Sequence, residues 1–315
     1  MLITGVAGFI GSHLADHFIN DFDIIGIDNL SSGKLLNIDH LMMNNNFKFL
    51  KLDVTKKFKI DEKINYILHF ASPASPVDYL KQPIETLRVG SIGTDNLLKI
   101  ALKNKCVILV ASTSEVYGDP LEHPQNETYY GNVNPVGPRG VYDEAKRYLE
   151  ALTIAYKSFH SVDVKIARIF NTYGPRMREN DGRAVPTFLN QFIKNKAFTV
   201  FGDGTQTRSF CYIDDTVDGI SKLLFSNYSM PINIGNNQEI SILELISIIK
   251  KFNVKKTTLK YFKLPTNDPV RRKPNIKMAK KILNWEPKVK LLDGLKKTYN
   301  YYINNNKWVT LVILF

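Results

Sequence analysis

The chain has 315 residues, of which 44% are hydrophobic and 23% are charged, and its formal net charge is +12. These values are ordinary for a soluble globular protein with one large domain or two coupled ones. The basic residues are scattered without a basic block or a zinc-finger motif, so we expect a solvated basic surface and no nucleic-acid partner.

The cysteines and the termini indicate the compartment. Cys106 and Cys211 lie far apart in apolar, strand-like segments, which favours buried free thiols over a disulfide or a metal site. The chain begins at once with an apolar strand, and the apolar run 308–315 is shorter than the roughly 20 residues of a spanning helix. We expect no metal, no signal peptide, no membrane anchor and a cytoplasmic location, with 308–315 as a packing segment or a frayed tail.

Short apolar runs alternate with helical patterns along the first half of the chain. The predicted elements are a strand at 2–4, a helix at 12–20, strands at 23–28, 47–54 and 65–71, a helix at 83–103, a strand at 106–113, a helix ending near 159 and a strand at 163–170. Apolar strands separated by helices indicate a parallel sheet that is buried on both faces. We therefore predict a doubly wound α/β fold of the Rossmann type.

The alternation of apolar strands and helices changes after Asn171, where Pro, Gly and Arg become frequent around a helix at 186–196. A helix at about 214–225, a strand at 231–234, a helix at 242–252, a Lys-rich strand and a Pro-punctuated tail follow. We predict that 1–171 form the Rossmann domain and that 209–235 rejoin it. The segments 172–208 and 236–315 are predicted to form a smaller C-terminal substrate-binding region.

Three glycines, Gly5, Gly8 and Gly11, have the spacing GxxGxxG between the first strand and the first helix. Glycines let the backbone approach a pyrophosphate, and the helix N-terminus supplies free N–H groups and a positive dipole end. Asp28 ends the next strand, where a carboxylate binds the adenosine ribose and would repel a 2′-phosphate. The pattern predicts NAD in preference to NADP.

Tyr142 and Lys146 are four positions apart on a predicted helix, so both side chains leave one face. An ammonium beside a phenol favours phenolate, and we expect Lys146 to lower the pKa of Tyr142 from its reference value of about 10. The segment 111–118 follows the fifth strand and brings hydroxyl residues and Glu115 to the edge where such sheets bind ligands.

Together these features resemble the extended short-chain dehydrogenase/reductase family. Further blocks resemble its UDP-glucuronate decarboxylase branch (UDP-xylose synthases) over roughly residues 2–300: HFASPASP at 69–76, STSEVYGDP at 112–120, GPRGVYDEAKR at 137–147, ARIFNTYGPRM at 167–177, DGR at 181–183, GDGTQTRSF at 202–210 and DPVRRKP at 268–274. Phe201 departs from the Tyr that relatives commonly carry. The resemblance implies a lyase that converts UDP-glucuronate to UDP-xylose through a 4-keto intermediate, with retained NAD.

The resemblance also implies roles for individual residues. Tyr142 would be the base at the C4 hydroxyl, Lys146 would hold the nicotinamide ribose, and Thr113 would bond the C4 oxygen. Ser114 and Glu115 would face C5 and C6, and Arg272 would reach the glucuronate or diphosphate region. The implied cofactor-binding residues are Gly5, Gly8, Phe9, Ile10, Gly11, Asp28, Asn29, Asp53, Val54, Ala71, Tyr142 and Lys146. The implied substrate-binding residues are Asn171, Arg176, Val185, Phe201, Arg208 and Arg272, with the uridine held by 185–201.

Other readings share parts of this pattern. A UDP-sugar 4-epimerase has no use for Glu115 near C5. A 4,6-dehydratase needs an acid beside the catalytic Thr, and the residue at that position here, Ser114, is a poor acid. A dinucleotide sensor without catalysis typically loses the Tyr or the Lys. Family resemblance implies a homodimer in which the helices 83–103 and 142–159 of two subunits form a four-helix bundle.

Overall fold

The computed structural model describes residues 1–254, 257–264 and 271–312, with side chains as far as 304. Its strands are β1 (Leu2–Thr4), β2 (Ile24–Asp28), β3 (Phe47–Lys51), β4 (Tyr66–His69), β5 (Val107–Thr113), β6 (Val164–Ile169), β7 (Thr172–Tyr173), β8 (Phe198–Phe201), β9 (Thr207–Ser209), β10 (Cys211–Tyr212), β11 (Pro231–Ile234), β12 (Glu239–Ser241), β13 (Leu259–Phe262) and β14 (Arg271–Arg272). Its helices are α1 (Phe9–Phe18), α2 (Pro76–Lys81), α3 (Pro83–Arg88), α4 (Thr94–Asn104), α5 (Gly140–His160), α6 (Ala184–Ile193), α7 (Ile213–Leu224), α8 (Ile242–Lys250), α9 (Lys277–Leu283) and α10 (Leu291–Val312).

Seven parallel strands form the main sheet in the order β11-β6-β5-β4-β1-β2-β3. Leu2 and Ile3 are neighbours in β1, yet they pack into different apolar clusters, because successive side chains leave opposite faces of a strand. The sheet is therefore buried on both faces, and the predicted doubly wound fold is confirmed. The strand order reverses between β1 and β4, which opens a crevice at their carboxyl ends.

The glycine loop between β1 and α1 is tightly packed. Gly5 has φ +70°, and a Cβ there would lie 2.7 Å from the backbone nitrogen of Ala71. A Cβ at Gly11 would lie 2.1 Å from the carbonyl oxygen of Gly5. Only glycine allows this approach. The helix begins at Phe9, earlier than the predicted residue 12, because Gly8 already serves as its N-cap.

The predicted helix 83–103 is interrupted. A π-helical segment, Val89–Gly93, lies between α3 and α4, and a Cβ at Gly90 would lie 2.7 Å from the Ala145 carbonyl oxygen of α5. The close approach of the two backbones accounts for the glycine within this segment. The short helix α2 was not predicted; it begins where the Ser75 hydroxyl accepts a hydrogen bond from the Asp78 backbone N–H.

Three small sheets hold the remaining described strands: β12-β9-β14, β13-β8 and β10-β7. In the first, Arg272 of β14 lies beside Arg208 of β9. The proposed division into NAD-binding and UDP-sugar-binding regions stays a prediction. Of the residues that prediction included, 255–256, 265–270 and 313–315 lie outside those described. Within the described ranges, none of the helices has the length and apolar character needed to cross a membrane.

Candidate active site

Two cavities open side by side at the carboxyl ends of the central strands. Their volumes are about 330 Å³ and 300 Å³, and Gly5, Phe70 and Ser72 line both of them. They therefore form one groove across the crevice of the sheet. The larger is termed the Tyr142 cavity and the smaller the Asp28 cavity, after one residue that lines each.

Most of the predicted cofactor residues line the Asp28 cavity. They are Gly5, Gly8, Asp28, Asn29, Asp53, Val54 and Ala71. The buried Asp28 carboxylate accepts hydrogen bonds from the N–H groups of Ala7 at 3.0 Å and Leu30 at 2.8 Å. Burial raises its pKa, while both donors act in the opposite direction. Asp28 thus ties the glycine loop to the end of β2 and also faces the groove.

Besides Tyr142 and Lys146, the predicted cofactor residues Phe9, Ile10 and Gly11 line the Tyr142 cavity. They form the first turn of α1, whose backbone N–H groups have no partner inside the helix. With the positive end of the helix dipole, these groups suit a pyrophosphate. The glycine loop keeps the floor of the groove free of side chains, and Asp28 suits ribose hydroxyls. The residues of the groove therefore fit NAD.

Tyr142 and Lys146 lie on the face of α5 that covers β5. Tyr142 stacks on Tyr79 of α2, with ring centroids 5.0 Å apart and 7° between the planes. The Lys146 ammonium donates a hydrogen bond to the Ala111 carbonyl oxygen at 2.8 Å and lies 5.9 Å from the centre of the Tyr142 ring. Burial lowers the pKa of Lys146 to about 8, against the influence of Glu150. Both predicted catalytic side chains thus line one cavity.

The pKa of Tyr142 differs from the expectation. Burial raises it well above the ordinary value, and the hydrogen bond with Thr113 and the charge of Arg183 only partly oppose that rise. The predicted fall in pKa is therefore wrong for the protein alone, because desolvation outweighs the nearby positive charges.

Glu115 occupies the 3-10 turn Ser114–Tyr117 after β5 and forms ion pairs with Arg272 and Arg139. Burial would raise its pKa, but the charges of Arg272 and then Arg139 hold it at about 2. Arg272 also donates a hydrogen bond to the Gly118 carbonyl oxygen at 2.7 Å. Its buried Nε has no hydrogen-bond partner among the described residues. The turn therefore carries a fixed carboxylate between two guanidinium groups.

The Tyr142 cavity also brings together most of the other predicted residues. Thr113, Ser114, Asn171, Val185, Phe201 and Arg208 line it. Arg176 does not: its guanidinium pairs with Asp16 of α1 at 2.6 Å. The prediction of Arg176 as a substrate ligand therefore receives no support from the structure, because a carboxylate outside the cavity already holds this side chain.

Tyr79, Arg139 and Arg183 are among the lining residues of the Tyr142 cavity that were not predicted as site residues. Arg139 and Arg183 stand inside the blocks GPRGVYDEAKR and DGR, so the signal for them was present in the sequence. Arg183 forms an ion pair with Asp181 and influences Tyr142 through its charge. Tyr79 belongs to α2, a helix that the pattern of apolar residues did not reveal.

Comparison with solved structures gives the same fold with ligands in place. The UDP-glucuronic acid 4-epimerase of Bacillus cereus, solved in complex with UDP-glucuronic acid and NAD, is 30% identical with a TM-score of 0.86, covering 96% of this chain and 98% of that chain. The UDP-glucose 4-epimerase of Thermotoga maritima, solved with UDP-glucose, is 28% identical with a TM-score of 0.87 and the same coverage.

Sequence comparison adds nearer relatives. The chain is 46% identical to UDP-glucuronic acid decarboxylase 1 of Danio rerio over 303 residues, which is 96% of this chain and 72% of the relative. It is 46% identical to UDP-glucuronic acid decarboxylase 3 of Arabidopsis thaliana over 94% of this chain and 86% of the relative. Residues 1–235 match the model of the NAD dependent epimerase/dehydratase family. With a groove that fits NAD and this match over most of its length, the chain belongs to the NAD dependent epimerase/dehydratase family.

Proposed function

We propose that the protein converts UDP-glucuronate to UDP-xylose and carbon dioxide, with NAD as a retained cofactor. The observation that carries this proposal is the Glu115 carboxylate held between Arg139 and Arg272 in the cavity that Tyr142 lines. The relatives named as UDP-glucuronic acid decarboxylases at 46% identity support the same substrate. Their matches cover 96% and 94% of this chain.

Oxidation at C4 of the sugar starts the reaction. NAD supplies the chemistry of accepting a hydride from C4 and returning it at the end, so the net redox change is zero. Tyr142 takes the proton of the C4 hydroxyl, and Thr113, its hydrogen-bond partner, holds the C4 oxygen. The charges of Arg183 and of the Lys146 ammonium, 5.9 Å from the ring centre, oppose the rise in the pKa of Tyr142 that burial causes and so favour its phenolate form.

Loss of carbon dioxide follows from the ketone. A C4 ketone is β to the C6 carboxylate, so breaking the C5–C6 bond leaves an enolate over C4 and C5. Tyr142 and Thr113 donate hydrogen bonds to the developing oxyanion, and burial makes these bonds stronger than in water. The chain therefore needs no further electron sink for this step.

The charges of Arg272 and Arg139 favour a role for Glu115 other than donating the C5 proton. The pKa of Glu115 is about 2, so its carboxylate is ionised at neutral pH and can orient a water molecule or an acid without donating a proton itself. Arg272 and Arg139 give the site positive charge beside that carboxylate, which favours binding of the substrate carboxylate.

Incubation of the purified protein with UDP-glucuronate and NAD tests the proposal. A UDP-pentose product with release of carbon dioxide is expected. The alternative within the family is epimerisation, and the 30% identical UDP-glucuronic acid 4-epimerase makes it the relevant one. A UDP-galacturonate product that keeps its carboxylate would contradict the decarboxylase assignment.

The proposed quaternary structure is a homodimer, and the proposed location is the cytoplasm. Ile84, Leu87 and Ile92 of the α3–α4 region and Tyr148 of α5 are exposed apolar side chains, and α3 packs against α5. Pairing of these surfaces with a second copy would cover them. Sedimentation equilibrium tests the dimer, and a monomer at micromolar concentration would contradict it. Cell fractionation tests the location, and recovery with membranes would count against it.

A further inference from the structure

Three consecutive residues at the end of β5 contact one face of α5. The Ala111 carbonyl oxygen accepts a hydrogen bond from Lys146 at 2.8 Å, and the Ser112 hydroxyl donates one to the Glu150 carboxylate at 2.5 Å. Thr113 is hydrogen-bonded with Tyr142. The three helix residues follow one another at intervals of four, so they share a face. The contacts fix the position of α5 along β5.

Glu150 is the member of this face without an assigned role. It is 9% exposed, and Arg168 of β6 binds both of its carboxylate oxygens, from Nε at 2.9 Å and from Nη2 at 2.7 Å. Arg168 in turn donates hydrogen bonds to the Tyr117 hydroxyl at 2.9 Å and the Glu127 carbonyl oxygen at 3.0 Å. A bidentate guanidinium of this kind holds the carboxylate in one place.

We propose that Glu150 is a positioning residue that keeps Lys146 in its ammonium form and holds Ser112, and with it Thr113, in place opposite Tyr142. This inference rests on the proposed function for the roles of Tyr142 and Thr113. Glu150 touches none of the reacting atoms and acts through Lys146 and Ser112.

The electrostatic surroundings of Lys146 support this role. Burial lowers the pKa of Lys146 to about 8, and Glu150 is the charged group that opposes the fall. His69 of β4 also faces Lys146, but burial holds its pKa at about 3, so it is neutral. Among the described residues, the other groups that interact with Glu150 are Ser112 of β5, Arg168 of β6 and Tyr117. Removing the charge of Glu150 therefore removes the main influence that keeps Lys146 protonated at neutral pH.

The test compares Glu150→Gln, which removes the charge, with Glu150→Asp, which keeps the charge but shortens the reach to Ser112. Glu144→Gln is the matched control, since Glu144 lies on the same helix and is half-exposed beside Arg147. Two quantities are measured against pH: the affinity for NAD, which needs no substrate, and kcat with UDP-glucuronate. All variants are also compared by thermal unfolding.

Loss of the Lys146 proton at alkaline pH is expected to weaken NAD binding. In Glu150→Gln we expect this weakening to set in roughly one pH unit lower than in the wild type. In Glu150→Asp it stays at the wild-type pH while kcat drops, and Glu144→Gln matches the wild type in both. A Glu150→Gln variant with the wild-type pH dependence overturns the inference. If Glu150→Gln does not fold, Glu150→Asp decides, because a wild-type kcat there reduces Glu150 to a stabilising role. If the wild type does not turn over UDP-glucuronate, only the proposed function is refuted, because the NAD measurement still tests the role of Glu150.

Discussion

Glu115 and Arg272 form a buried ion pair although 157 positions separate them in the chain. The pair joins the turn after β5 to the short strand β14, and it places a carboxylate and a guanidinium in the cavity of Tyr142. In the proposed mechanism, oxidation at C4 uses Tyr142, Lys146 and Thr113 together with NAD. The ion pair would add a charged environment around C5 and C6, which the loss of carbon dioxide needs.

Replacing Tyr142 with Phe should abolish oxidation at C4 while leaving UDP-glucuronate binding largely intact. Phe keeps the stacking on Tyr79 but has no proton acceptor. Loss of general-base catalysis lowers kcat by about 100-fold to 10,000-fold. Steady-state turnover and calorimetric titration with UDP-glucuronate measure the two effects. Retained activity would refute Tyr142 as the base.

Replacing Glu115 with Gln should slow decarboxylation far more than it weakens NAD binding. The amide has the same shape but cannot balance Arg139 and Arg272, so the geometry around C5 and C6 is lost. We expect kcat to fall by about 100-fold or more, the range of a removed catalytic contact. Turnover and NAD titration are compared with the wild type. A variant that only raises KM would show that Glu115 does not act near C5 and C6.

Asp143 gives a prediction for stability against pH. It is 5% exposed, and one carboxylate oxygen has no hydrogen-bond partner among the described residues. Burial and then the charge of Glu115 raise its pKa from 3.8 to about 7. The folded state therefore holds this proton more tightly than the unfolded state, so its stabilising effect is present below pH 3.8 and is lost as the pH rises through about 7.

In Asp143→Asn this loss is absent. Its Tm should equal that of the wild type near pH 4, exceed it increasingly up to pH 7 and then keep a constant lead of roughly a few degrees. Thermal unfolding from pH 4 to 8, with the wild type measured alongside, tests this. A lead that is the same at both ends of the range would mean that Asp143 does not titrate as stated.

The glycine loop predicts a graded effect of added methyl groups. A Cβ at Gly11 would lie 2.1 Å from the Gly5 carbonyl oxygen, whereas a Cβ at Gly8 would lie 3.0 Å from the same atom. Gly11→Ala should therefore lower stability by about 1–3 kcal/mol, the usual cost of overpacking, and weaken NAD binding. Gly8→Ala should cost less stability. Denaturant unfolding and NAD titration give the order, and equal effects at the two positions would contradict the packing.

Much of the fold follows from local patterns in the sequence. The apolar strands β1, β2, β4, β5 and β6 and the glycine loop are visible as runs and spacings, because parallel strands buried on both faces leave a strong signal. The π-helical segment and α2 left no such signal. The first depends on the packing of Gly90 against α5, and the second on one capping serine.

Site residues were predictable where they stand in recognisable sequence blocks. They were less predictable where tertiary contacts determine the position of a side chain. Arg176 stands in such a block, yet Asp16 holds it outside the cavity. Arg139 was missed although it binds Glu115, because spacing alone does not show which arginine meets which carboxylate. The pKa of Tyr142 depends on its burial, which only the packed structure gives.

In the proposed reaction, the groove removes the C6 carboxylate of UDP-glucuronate. The most direct measurement is a carbon NMR time course of the purified protein with UDP-glucuronate labelled with ¹³C at C6, in the presence of NAD. We expect the label to move into bicarbonate and dissolved carbon dioxide at the rate at which UDP-xylose forms, without net accumulation of NADH. Label that stays in a UDP-hexuronate, as in conversion to UDP-galacturonate, would contradict it.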